Sequence, residues 1–182
     1  EGSADLDFRV ESNGNTHMIF VDGGNDHVNI GTATDLGGVL NVSGTAVIQT
    51  ADNSDTLTLT STDTDANGGP NLRLLRSATG ADADTLGVID FAGKDDGGNL
   101  TDYARIEVVI DDASDGSEDA SLIFRLLNGG ALNQTVKMTG PETVINDASI
   151  DHDFRVESNG NANMLFVDGG SNFVSMGKNT DD

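Results

Sequence analysis

Residues 7–31, DFRVESNGNTHMIFVDGGNDHVNIG, return as residues 153–177, DFRVESNGNANMLFVDGGSNFVSMG, with 17 of 25 positions identical. In both copies, apolar and polar residues alternate over short runs, and Asn, Asp and Gly interrupt them, which predicts short strands joined by turns. A chain that carries the same supersecondary unit near both ends is typical of a modular, repetitive architecture.

Each copy is predicted to form three short strands. In the first copy, Phe8 and Val10 point to one face of the first strand, because side chains alternate along a strand. The second strand runs from about Met18 to Val21, and the third contains Val28 and Ile30. The two copies are expected to fold alike and to lie at opposite ends of a rod.

The first turn of each copy contains an Asn-Gly pair, Asn13-Gly14 and Asn159-Gly160. This pair predicts a two-residue type I′ turn with positive φ angles. Because β-branched residues resist positive φ, valine at Gly14 or Gly160 is expected to impair folding.

The middle of the chain, residues 36–145, continues the pattern of short strands and Gly- or Asp-rich turns. The predicted strands are Val39–Val42, Ala46–Gln49, Thr56–Thr60, Leu72–Arg76, Gly87–Ala92, Tyr103–Ile110, Ser121–Leu127 and Thr135–Met138. We therefore divide the chain into a terminal repeat unit (1–35), a central β domain (36–145) and the second copy of the terminal unit (146–182).

The composition predicts an all-β protein. The 182 residues include 25 Asp, 17 Asn and 23 Gly, against only 6 Glu, 3 Lys and 2 Gln. Asp, Asn and Gly favour turns, whereas Glu, Lys and Gln favour helix surfaces. High net charge also favours disorder, but the regular alternation of apolar residues argues against it.

The predicted core is thin for a monomer. There is no Trp and one Tyr, although aromatic residues normally supply the largest burial terms. The net charge of −22 is costly on a compact monomer and less so when it is spread along a fibre. Such a chain is expected to complete its core with identical neighbouring chains.

The charge and the missing residue types also exclude several classes of function. Phosphates would be repelled, so nucleic acid and anionic membrane surfaces are unsuitable partners. No apolar run is long enough for a transmembrane helix, and membrane insertion is not expected. The absence of cysteine excludes disulfides and thiolate metal sites.

The terminal unit, DFRVESNGN followed by MxFVDGG, resembles modules of bacteriophage tail-fibre and virion appendage proteins. Residues 69–139 are similar to such fibres as well, through GPNLRLLRS and LGVIDFAGKDDGGNLTDYARIEVVIDDASDGSEDASLIFRLLNGG. The similarity covers nearly the whole chain apart from about residues 32–68.

The resemblance implies an elongated homotrimer in the virion, with a rod like a β-helix or β-prism built from short strands with Gly/Asn/Asp turns. Its partners would be other fibre subunits and a host surface glycan or protein. The given residues do not include the self-cleaving chaperone that such fibres carry at the C-terminus, so we expect that it was removed, that this is an upstream segment, or that this fibre never had one. Because the chain also begins with Glu1, we expect a processed product or a segment of a longer protein.

No catalytic, cofactor or metal site is predicted, and the histidines support none. His17 corresponds to Asn163 in the second copy and His27 to Phe173, while His152 stands where the first copy has Leu6. Their spacing fits no zinc motif. No nucleophile motif, and no glycine-rich segment that opens a helix, indicates an enzyme or a nucleotide site.

Two acidic segments have features of cation sites. Residues 22–26, DGGND, are similar to a calcium-binding nonapeptide, but the third glycine is missing and Asp26 becomes Asn172. The densest acidic run contains oxygen ligands of the kind calcium uses but lacks the spacing of an EF-hand. Both segments are interpreted as turns. The acidic run consists of Asp111, Asp112, Asp115, Glu118 and Asp119.

Arg9 with Glu11, repeated as Arg155 with Glu157, places opposite charges on one strand face. An ion pair there is expected to contribute about 0.2–1 kcal/mol when it is exposed.

The predicted function is therefore structural: a trimeric fibre segment that supports host attachment. Two alternatives stay open at this point. One is a repeat module of a bacterial extracellular filament or adhesin, and the other is a polysaccharide depolymerase embedded in a fibre.

Overall fold

The computed structural model describes residues 5–177, and they form twelve β-strands and no helix. The all-β prediction is confirmed. The outermost residues of both predicted terminal units, 1–4 and 178–182, lie outside the described part. The chain divides into two compact units, Glu1–Asn71 and Leu72–Asp182.

The first unit holds the first copy of the repeat in a four-stranded sheet of order β1-β2-β3-β4. The first three strands pair antiparallel, and β4 joins β3 in parallel. The strands are β1 Phe8–Val10, β2 Ile19–Asp22, β3 His27–Ile30 and β4 Leu40–Val42.

The second unit begins with a five-stranded antiparallel meander. Its strands are β5 Thr85–Lys94, β6 Leu100–Asp112, β7 Asp119–Asn128, β8 Ala131–Met138 and β9 Thr143–Ile145. The second copy of the repeat follows as an antiparallel three-stranded sheet of β10 Phe154–Val156, β11 Leu165–Asp168 and β12 Phe173–Ser175. None of the three sheets is closed into a barrel.

The two faces of the five-stranded sheet differ in chemistry. One face, here called the apolar face, carries three rows of aligned residues that contain no charged side chain. The rows, from the strand registers, are Gly87-Val108-Leu122-Met138-Thr143, Ile89-Ile106-Phe124-Val136-Ile145 and Phe91-Ala104-Leu126-Asn133. The opposite face, here called the charged face, carries the row Val88-Glu107-Ile123-Lys137-Val144.

The core is as thin as the composition predicts. Within residues 5–177, the buried hydrophobic side chains are Ile123 and Phe166 alone. Buried polar groups outnumber them and include Asn29, Asn41 and Glu107. The described chain therefore buries very little apolar side chain against itself.

Three predicted strands are not strands in the structure. Residues 56–60 have strand-like alternation and residues 46–49 and 72–76 are rich in apolar residues, but none of the three segments has a regular partner strand. A strand needs a neighbour to bond its backbone, and alternation alone does not supply one. The other predicted strands of the middle segment are present, most of them longer than predicted, and β9 was not predicted.

The predicted type I′ turn is also wrong. Gly14 and Gly160 do not adopt positive φ. The Asn-Gly pair lies inside a longer connection, residues 11–18, in which the backbone N–H of Ser12 donates to the carbonyl of Asn15 over 2.8 Å. Positive φ occurs instead in the second turn, at 59° for both Asp26 and Asn172.

Candidate functional site

Three carboxylates meet beside the second turn in each copy of the repeat. One oxygen of each carboxylate lies within 4.8 Å of the others. These two groups, here called the carboxylate clusters, occupy equivalent positions. They are Asp5, Asp7 and Asp22 in the first copy and Asp151, Asp153 and Asp168 in the second.

The turn glycines allow the segment that carries the first two aspartates of each cluster to pass close to the second turn. A Cβ atom on Gly23 would lie 2.7 Å from the carbonyl oxygen of Leu6, and one on Gly169 would lie 2.6 Å from that of His152. Such distances are too short for real Cβ contacts, so only glycine allows the preceding segment to cross the turn this closely. The Gly-Gly pair therefore sets the distance between the clustered aspartates and the turn.

The clustered carboxylates also hold the turn itself. The backbone N–H of Gly23 donates to Asp7 Oδ1 at 3.1 Å, and that of Gly169 donates to Asp153 Oδ1 at 3.0 Å. Asp22 Oδ1 accepts from the backbone N–H of Gly24 at 3.1 Å. Each copy thus closes its turn with aspartate side chains that accept backbone hydrogen bonds.

These bonds keep Asp22 ionised. The side-chain amide of Asn25 donates to Asp22 Oδ2 at 3.0 Å, and the backbone N–H of Asn25 donates to Asp22 Oδ1 at 3.0 Å. The side-chain bond from Asn25 is the largest cause that lowers the pKa of Asp22 below its ordinary value of 3.8.

Each carboxylate cluster offers three carboxylate oxygens from exposed or half-buried residues, a donor set that suits hard cations such as calcium. That no metal is obligatory stays a prediction.

Sequence reasoning missed the carboxylate clusters because their members come from separate segments. Asp5 and Asp7 precede the first strand of the repeat, whereas Asp22 ends its second strand. A signal was nevertheless present: all three positions hold Asp in both copies.

The acidic run between β6 and β7 forms a hydrogen-bonded connection. Asp112 Oδ1 accepts the backbone N–H of Ser114 at 2.8 Å, and the hydroxyl of Ser121 donates to Asp111. The side-chain bond with Ser114 is the largest cause that lowers the pKa of Asp112. Among residues 5–177, no three acids of this run come together as an ion site. These contacts agree with its interpretation as an acidic turn.

The three histidines are dispersed among local partners. His17 Nδ1 lies 2.9 Å from the hydroxyl of Thr16, and its ring packs edge-on against Phe20. His27 Nδ1 lies 3.0 Å from Asp35 Oδ1. The backbone N–H of His152 donates to the carbonyl of Ile150 at 2.9 Å.

The repeated ion pair forms in both copies. Arg9 Nη2 lies 2.5 Å from Glu11 Oε1, and Arg155 Nη2 lies 2.5 Å from Glu157 Oε1. All four side chains are exposed, so each pair lies in water, where its contribution is small.

The charged face of the five-stranded sheet carries a denser ionic network. Arg105 Nε lies 2.6 Å from Asp90 Oδ1, and this bond raises the pKa of the guanidinium. Arg125 Nε lies 2.7 Å from Glu107 Oε1, and the Glu107 residue is only 7% exposed. The bond from Arg125 pairs Glu107 across neighbouring strands and offsets the cost of burying its charge.

Two further findings concern membrane-spanning helices and similarity to known proteins. No helix in the described part of the chain is both long and apolar enough to cross a membrane. No protein-family model, no curated protein and no solved structure matches the chain. Any likeness to tail-fibre modules therefore rests on the residues quoted above.

Proposed function

We propose that this chain is a structural segment of a phage tail fibre or virion appendage, which assembles as a homotrimer and supports host attachment without catalysis. The sequence resemblance suggests the setting. The observation that carries the assembly is the large apolar surface of the single chain.

The amount of surface is the first part of that observation. The chain exposes 13474 Å². Two independent compact bodies with the lengths of its two units would expose about 10,000 Å² together. The excess is of the order of 3,000 Å², which is within the range that subunits bury in obligate interfaces.

The second part of the observation is where the exposed apolar residues lie. Val47, Ile48, Leu57, Leu72 and Leu75 are all exposed, and all lie in the three segments that look like strands but have no regular partner strand. Extended apolar segments of this kind are stabilised when neighbouring chains pack against them. The mechanism of the protein would then be mechanical, with packed sheets transmitting force between the particle and its host-binding tip.

Light scattering of the purified full chain tests the assembly. A homotrimer gives about three times 18.8 kDa. A stable, cooperatively folded monomer would contradict the proposal.

Immunogold labelling tests the setting. An antibody to the chain should decorate the fibres or appendages of phage particles. Label on filaments of uninfected bacteria would instead favour the adhesin alternative, and polysaccharide cleavage by the purified chain would favour the depolymerase.

A further inference from the structure

The buried residues of the five-stranded sheet do not lie in its apolar rows. Ile89, Ile106, Phe124, Val136 and Ile145 form an unbroken apolar row across all five strands. None of the five is buried, and Ile89 is 41% exposed. An antiparallel sheet with one covered face normally covers the apolar one.

On the charged face, by contrast, the central row contains buried residues. Ile123 is 6% exposed and Glu107 is 7% exposed, and both lie in the central row of that face. Its guanidinium–carboxylate pairs join Arg105 to Asp90 and Arg125 to Glu107 within one chain. The charged face therefore holds buried residues in its central row, whereas the central row of the apolar face holds none.

Leu74 covers one end of the apolar face. A Cβ atom on Gly87 would lie 2.9 Å from Leu74, so this leucine rests directly on the glycine. The rest of the face stays open, and Phe91, Leu126 and Met138 are all exposed there. Exposed apolar patches that are larger than a few hundred Å² mark interaction sites on soluble proteins.

Charge indicates what covers this face. The chain carries a net charge of −22, so contact between two copies at most places on their surface brings like charges together. The three rows of the apolar face contain no charged side chain, and here identical copies approach without that repulsion. A cationic partner would have no charge to recognise on this face.

We propose that the apolar face of the β5–β9 sheet is the surface through which copies of this chain pack against one another. This inference rests on the proposed homotrimer and adds the residues of its interface. The occupant of the face is a second copy of this chain.

Neighbouring residues of β5 provide a matched test. Ile89 and Val88 are 41% and 38% exposed and lie on opposite faces of the same strand. Ile89→Lys should reduce the trimer to smaller species in sedimentation velocity, whereas Val88→Lys, which adds the same charge directly opposite Glu107, should leave the trimer intact. Equal behaviour of the two variants would overturn the inference.

A second measurement avoids the folding risk of a buried charge. The chain has no cysteine, so single-cysteine variants carry one reactive thiol. In Leu126→Cys, maleimide should react slowly in the assembled protein and at least tenfold faster after dissociation. In Val88→Cys, the rate should change little.

The outcomes separate the two proposals. A monomeric wild-type chain defeats the proposed homotrimer. A trimeric wild-type chain with a freely reactive thiol at position 126 defeats only the assigned interface.

Discussion

In the first copy of the repeat, the residue that starts the third strand is His27, and in the second copy it is Phe173. His27 reaches Asp35 in the segment that leads to the parallel strand β4. Phe173 packs against Phe166 with ring centroids 5.8 Å apart, and Phe166 is buried. The same backbone therefore supports a polar network in one copy and an aromatic pair in the other.

The shared part of the two copies is the skeleton of turns. The strand registers agree, with Phe8 opposite Val21 and Phe154 opposite Val167. Positive φ also recurs at equivalent glycines, at 80° for Gly31 and 78° for Gly177. The comparison teaches that the identical positions determine the local fold, whereas the variable positions adapt it to its surroundings.

The largest expected effect comes from the shared skeleton. Gly23→Ala and Gly169→Ala place a Cβ against a backbone carbonyl, and each should destabilise its own copy by about 1–3 kcal/mol. Hydrogen exchange resolved by mass spectrometry reports the two copies separately, because their peptides differ in mass.

Gly14→Ala and Gly160→Ala are the matched controls. No atom lies within 4 Å of a Cβ at either position. These variants should change stability by less than about 0.5 kcal/mol. Equal loss of protection in both pairs of variants would show that the crossing at the second turn is not what holds the repeat together.

The next largest loss of stability is expected in the first copy alone, from breaking the hydrogen bond between Asn41 and Asn29. The side-chain amide of Asn41 donates to Asn29 Oδ1 at 2.7 Å, and its oxygen accepts the backbone N–H of Gly38 at 3.0 Å. Asn29 and Asn41 are both buried. Asn41→Ala leaves the buried Asn29 side chain and the half-buried backbone N–H of Gly38 without this partner and should cost about 1–3 kcal/mol.

Urea unfolding measures this loss, and the exposed Asn13→Ala serves as a control that should have little effect. Hydrogen exchange in the second copy should be unchanged. If both copies lose protection together, the two units unfold as one and the comparison between them must be redrawn.

An acid titration tests the polar network. The pKa of Asp35 is lowered, first by the backbone N–H of Gly37 and also by His27. A carboxyl whose folded pKa is below its unfolded value of 3.8 contributes stability above that value, and this stability is lost as the pH falls through the folded pKa.

Asp35→Asn should therefore reduce the loss of protection in the first copy as the pH falls below 3.8. Hydrogen exchange, corrected for the intrinsic pH dependence, gives the comparison with wild type. An unchanged acid dependence in the variant would remove Asp35 from the network.

Much of the fold was predictable from alternation and turn residues, and the failures have physical causes. Long strands such as β6 are evident because their apolar residues alternate over many positions. Residues 56–60 alternate as well, but strand formation depends on a partner, which the sequence does not reveal. The short β9 was missed because three residues carry almost no periodic signal.

The site was less predictable than the fold. The carboxylate clusters combine residues that are distant in sequence, and only the paired register of β1 and β2 brings them together. The prediction of a type I′ turn from the Asn-Gly pair was wrong for a related reason. A longer connection closed by Ser12 and Asn15 satisfies the backbone without the two-residue turn.

Smaller effects are expected from the exposed ion pairs. Arg9→Ala and Arg155→Ala should each cost about 0.2–1 kcal/mol at low salt, because both pairs lie in water. The cost should be equal in the two copies and should shrink as salt is added. A clearly larger cost in one copy, measured by urea unfolding, would show that its arginine contacts something besides the neighbouring glutamate.

The smallest effect is expected from chelation. Asp7 and Asp22 already accept hydrogen bonds from the turn they enclose, so the turn is closed without an ion. Prolonged treatment with EDTA should leave the melting temperature within about one degree, since an ion stabilises only by binding the folded state. A drop of several degrees that calcium reverses would contradict this prediction. Asp5→Asn and Asp151→Asn would then locate the ion, because each variant removes a carboxylate from one cluster and leaves the other copy unchanged.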